Sequence, residues 1–173
     1  MLLLIMWLVM SPPTQVKVDM LGPTASLDGL TWTELSPGGE ILTAHSSRPT
    51  SLRVRLPGGV EIVEQIPVLS VSSKRGVVTD VKFGLSTKSG EFGEVLQLVR
   101  DRIDAWGVGQ DEVFSRKLDA IAERGVRGYD PRWVRRKIAE DVNVAVIFRS
   151  TGPSRWYASI TLEATIEGRR KIP

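Results

Sequence analysis

From Arg155 to Glu167 the side chains alternate without a break. Trp156, Ala158, Ile160, Leu162, Ala164 and Ile166 stand on one side, and Tyr157, Ser159, Thr161, Glu163, Thr165 and Glu167 on the other. Successive side chains of a strand point to opposite faces, so this period predicts a half-buried strand and argues against a helix. Val142, Val144, Val146 and Phe148 repeat the pattern upstream, and Thr151-Gly152-Pro153 provides a turn between the two runs. A sheet with one apolar face must cover it with other elements, and this requirement shapes the rest of the chain.

The first half adds more strand signals. Pro57-Gly58-Gly59 joins Leu52–Leu56 to Val60–Ile66 as a hairpin, with Leu52, Val54 and Leu56 inward and Arg53 and Arg55 outward. Pro37-Gly38-Gly39 marks a similar turn, and Ser73-Lys74-Arg75-Gly76 turns Val68–Ser72 into Val77–Leu85. The middle has helical spacing. Phe92, Val95, Leu96, Val99, Ile103 and Trp106 predict one helix ending at Gly107, and 111–124 predicts a second. Asp130-Pro131 has the form of an N-cap followed by proline, which predicts a third helix carrying Trp133, Val134 and Ile138. Strands, then helices, then strands imply an α+β fold: an antiparallel sheet with about three helices packed on one face and the other face solvated.

The N-terminus stands apart. Residues 1–10 are all apolar and are followed by Ser11-Pro12-Pro13. Ten helical residues span roughly 15 Å, about half of a bilayer core, but they match the apolar region of a secretory signal. Residues 11–47 contain one base, Lys17, against Asp19, Asp28, Glu34 and Glu40, which suits translocation. No basic residue precedes the segment and no A-x-A-like site closely follows it. A signal or membrane anchor is the favoured reading; a buried element and an interfacial partner-binding segment are the alternatives. The expected organisation is a signal- or anchor-like segment 1–10, a Pro/Gly-interrupted linker 11–29, a single domain 30–168 and a basic tail 169–173. The domain is then exported or membrane-anchored, periplasmic if bacterial, with a soluble cytoplasmic setting as the alternative.

Composition removes several chemistries. The 173 residues contain no cysteine and one histidine, which excludes disulfides, thiolate metal sites and multi-histidine sites. No metal or cofactor is expected. His45 lies among hydroxyls in Thr43-Ala44-His45-Ser46-Ser47, but no serine sits in a G-x-S-x-G elbow, so a hydrolase using His45 ranks last. Gly107-Val108-Gly109 follows a helix rather than a strand and lacks the setting of a phosphate loop. Acidic pairs such as Asp101 with Asp104 read as solvated charge.

What remains is binding. A formal net charge of +3 does not by itself call for nucleic acid. The expected function is non-catalytic binding of a protein partner, in one version an immunity- or inhibitor-type protein of the cell envelope. Its candidate surface is the polar sheet face and rim with Arg53, Arg55, Tyr157, Thr161 and Glu163. The alternative is an anionic-ligand or nucleic-acid binder using Arg132, Arg135, Arg136 and Lys137, of which Arg132, Arg135 and Arg136 would share a face of the third helix. Nucleic acid ranks below protein as a partner, and membrane contact would run through residues 1–10.

Overall fold

The computed structural model describes residues 14–23, 30–36, 40–107, 112–123, 132–152 and 155–165. In chain order the elements are β1 (Thr14–Asp19), β2 (Trp32–Glu34), β3 (Ile41–Ser46), β4 (Thr50–Arg55), β5 (Glu61–Ile66), β6 (Leu69–Lys74) and β7 (Val77–Leu85). They continue with α1 (Phe92–Ala105), α2 (Glu112–Glu123), β8 (Arg132–Ala139), β9 (Val142–Gly152) and β10 (Arg155–Ala164). Strands make up 55% and helices 20% of the described residues, and they form two sheets and two helices. The expected single sheet under about three helices is therefore wrong: the fold is mostly β.

The larger sheet has seven strands in the order β2-β3-β6-β7-β10-β9-β8, all antiparallel. The smaller one has the order β1-β4-β5, with β1 parallel to β4 and β4 antiparallel to β5. The β4–β5 hairpin closes at the expected Pro57-Gly58-Gly59 turn, where both glycines take φ +89°. β3 pairs directly with β6, Ser46 opposite Leu69, so this hairpin is an excursion out of the larger sheet. Pro49 and Pro67 flank it, and neither can donate a ladder hydrogen bond. At the exit Thr50 Oγ1 donates to the Arg48 carbonyl (2.8 Å) and the Arg48 amide donates to Ser46 Oγ (3.3 Å), turning the chain from one sheet to the other.

β1 lies within 11–29, the stretch read as a linker. It inserts Val16 and Val18 into the core and then returns to the larger sheet. The Leu21 amide donates to the Val78 carbonyl (3.1 Å), and the Val78 amide donates to the Gly22 carbonyl (3.0 Å). Between them Gly22 closes a tight turn onto Asp19, where a Cβ would stand 2.6 Å from Asp19 Cβ. Residues 1–10, whose role the sequence leaves between anchor and core, lie outside the described residues.

The expected third helix is a correction of the same kind. Residues 132–139 form β8, paired along β9 from Arg132 opposite Phe148 to Ala139 opposite Val142. Arg, Lys, Ile and Ala tolerate a helix well, so local propensity pulls the other way. Pairing prevails because β9 carries Val142, Val144, Val146 and Phe148 into the core, and without β8 it would leave a row of backbone groups unpaired beside that core. Asp141, at φ 55°, makes the tight reversal.

One hydrophobic cluster unites both sheets and both helices. α1 contributes Val95, Leu96, Val99 and Ile103, and α2 contributes Phe114, Leu118 and Ile121. Phe92 meets Phe148 and Trp156 edge-on at 5.5 and 5.2 Å, and Trp106 meets Phe83 at 6.1 Å. The smaller sheet is locked to α1 by a buried carboxylate. Trp106 Nε1–H donates to Glu64 Oε1 (2.9 Å), and Arg102 Nε stands 3.6 Å from Glu64 Oε2. Arg100 of α1 and Asp119 of α2 form an ion pair between the helices.

Candidate binding interface

Each sheet turns one face to the shared core and one to solvent, so the two solvated faces look away from each other. The five expected interface residues divide between them. Arg53 and Arg55 stand on the outer face of the smaller sheet; Tyr157, Thr161 and Glu163 stand on that of the larger one. One surface containing all five does not exist. The reason is the excursion of β4 and β5, which no single strand's alternation reveals.

On the smaller sheet the cross-strand register sets Asp19, Arg55 and Glu61 in one row and Lys17, Arg53 and Val63 in the next. Arg53 pairs with Glu61 at 3.0 Å, while Arg55 reaches Glu61 at 3.5 Å and Asp19 at 3.8 Å. Lys17, Val18, Asp19, Arg53, Arg55 and Glu61 line a shallow groove of about 220 Å³. Its charges are largely satisfied among themselves, and as exposed pairs each contributes at most about 1 kcal/mol.

The outer face of the larger sheet is wider. One row runs Thr43, Ser72, Asp80, Glu163, Asn143, Lys137; the next runs His45, Ser70, Lys82, Thr161, Ala145, Arg135. Gly84, Ser159 and Ile147 follow, and then Tyr157 opposite Arg149. Glycine, serine and alanine at Gly84, Ser159 and Ala145 keep the centre low, while Lys82, Arg135, Lys137 and Arg149 are exposed around it. Arg135 Nη2 forms an ion pair with Glu163 Oε2 across β9 at 2.9 Å, and Thr79 Oγ1 donates to Asp80 Oδ2 at 2.6 Å.

The basic group 132–137 is not a patch. Because β8 is a strand, Arg135 and Lys137 face out and Arg136 faces in, where its guanidinium lies 5.9 Å from the Phe114 ring centre. Arg132 stands opposite Phe148 in the ladder. Helical spacing would have gathered Arg132, Arg135 and Arg136; strand spacing sets Arg135 and Arg136 on opposite faces.

His45 is exposed on β3 opposite Ser70, and its Nε2 lies 3.4 Å from Thr43 Oγ1. Among the described residues no carboxylate orients the ring, and no three potential metal ligands gather. No described helix is long and apolar enough to cross a membrane. No protein-family model, curated protein or solved structure matches this chain.

Lys82 and Arg149 were not among the residues singled out from the sequence. Their outward alternation was readable within their own strands. That they share a surface with Tyr157 and Arg135 depends on the order β7-β10-β9-β8, which only pairing reveals.

Proposed function

We propose that this chain is a non-catalytic protein-binding module whose interface is the outer face of the seven-stranded sheet, centred on Tyr157, Thr161 and Glu163. One observation carries the reading: this face is continuous across strands, low at Gly84, Ser159 and Ala145, and bordered by exposed polar and basic side chains. A low, firm centre admits a partner's side chains, and a polar border suits a non-obligate interface. An exported or membrane-tethered setting, with an immunity- or inhibitor-type role in the cell envelope, belongs to the same proposal. It draws its support from the apolar segment 1–10 and the acidic stretch after it.

The test is capture of a partner from native envelopes by the full chain, repeated with Tyr157→Ala/Thr161→Arg. The variant is expected to fold and to lose the captured protein. Retained capture by this variant, together with loss in Arg53→Glu/Arg55→Glu, would move the interface to the smaller sheet. Fractionation tests the setting: the full chain is expected in membranes, and a chain starting at Ser11, which keeps β1, in the soluble fraction. Finding both in the soluble fraction would remove the tether.

A further inference from the structure

The outer face of the larger sheet is uneven in charge. Lys74, Lys82, Arg135, Lys137 and Arg149 stand on it against Asp80 and Glu163. Glu163 is already held by Arg135, and Asp80 accepts from the Thr79 hydroxyl. Lys82, Lys137 and Arg149 are exposed and form no ion pair among the described residues. The smaller sheet offers the contrast, since Arg53 and Arg55 there share Glu61 and Asp19. Lys17 is the one base of the smaller sheet's outer face outside these pairs, so the larger excess of unpaired positive charge lies on the larger sheet.

Spacing bears on what could meet it. Neighbouring strands lie about 4.8 Å apart, so Lys82 on β7 and the β8 row of Arg135 are separated by about 14 Å. The bases are spread around Tyr157, Thr161 and Ser159 rather than gathered at a point, which suits an extended surface better than a single phosphate. Two carboxylates stand in the row that ends at Lys137. A nucleic-acid backbone, uniformly negative, would meet repulsion there; a protein can place a base or hydroxyl opposite Asp80 and acids opposite the lysines.

We infer that the occupant of this face is an acidic polypeptide surface, with carboxylates meeting Lys82, Lys137 and Arg149. The inference rests on the assignment of this face as the interface, and it adds the chemistry of the partner.

The experiment uses the full chain and two labelled probes of matched charge, poly-L-glutamate and an oligo-dT strand, in fluorescence anisotropy at low salt. Poly-L-glutamate is expected to bind, and Lys82→Gln/Lys137→Gln/Arg149→Gln to weaken it about tenfold or more, as loss of several complementary charges does. Lys17→Gln/Arg53→Gln/Arg55→Gln, on the opposite side, is expected to leave it unchanged. Circular dichroism and the melting temperature check that both variants fold; should the triple variant fail, the single Lys82→Gln and Arg149→Gln replace it. Absence of binding, equal binding by the Lys82 variant, or tighter binding of oligo-dT would each overturn the inference. Partner capture that depends on Tyr157 and Thr161 but ignores the three bases would remove the acidic occupant and leave the interface standing. Capture that ignores Tyr157 and Thr161 would remove the interface itself.

Discussion

At the scale of single residues, Glu64 is the most consequential side chain that the sequence does not advertise. Its strand alternates Ile62, Glu64 and Ile66 inward, so a carboxylate occupies a core position. Burial is tolerated because Trp106 donates to one oxygen and Arg102 approaches the other. Glu64→Ala leaves the indole N–H without its acceptor and is expected to cost about 1–3 kcal/mol. Glu64→Gln keeps an acceptor oxygen and should cost less, so urea unfolding of the two variants separates the hydrogen bond from the side chain's bulk. Gly22 offers a second residue-scale test. A methyl group there would collide with Asp19, and Gly22→Ala is expected to destabilise by about 1–3 kcal/mol, read as a lower melting temperature.

At the scale of elements, β8 shows how far local pattern reaches. Asp130-Pro131 has the form of a helix start, and the residues after it tolerate a helix. Only Val134 of this strand is fully buried among the residues whose side chains are described, so the alternation that marks β10 is faint in β8. As an edge strand it needs one apolar anchor and the stem of Arg136, and a window of its own residues cannot show that. The strand assignment has a direct check, because it alone places Arg135 beside Glu163. A double-mutant cycle on this pair is expected to give a coupling of about 0.2–1 kcal/mol, diminished by salt. No coupling at low salt would contradict the register of β8 and β10 across β9. By contrast α1, β9 and β10 were legible from sequence, because each carries its own full period of buried residues.

At the scale of the whole molecule, the two sheets and two helices share one core and should unfold together. β1 is part of that unit despite lying in an apparent linker. Val16, Val18 and Met20 are buried, and each contributes about 1.5–3 kcal/mol by leaving water. A chain starting at Leu30 is expected to lose most or all of its cooperative transition, while a chain starting at Ser11 keeps it. Coincident near- and far-ultraviolet circular dichroism melts would check this. Separate melting of the smaller sheet would show that Glu64 and the Leu21–Val78 crossing do not couple it to the rest.

The candidate interface shows the same division between sequence and structure. That Arg53, Arg55, Tyr157, Thr161 and Glu163 face solvent follows from alternation within each strand, a local property with a period of two. That they look to opposite sides of the molecule follows from β4 and β5 leaving one sheet for another, a matter of pairing between distant segments. The sequence by itself determined the inward and outward faces of most strands, the Pro57-Gly58-Gly59 turn and the two helices, because side-chain direction depends on neighbours a few residues away; Pro37-Gly38-Gly39 lies outside the described residues. Only the tertiary structure decided that 132–139 is a strand, that residues 14–19 join the core, and which outward residues stand side by side. Those outcomes depend on where unpaired backbone and exposed apolar area can be covered most completely, and the cover comes from remote parts of the chain.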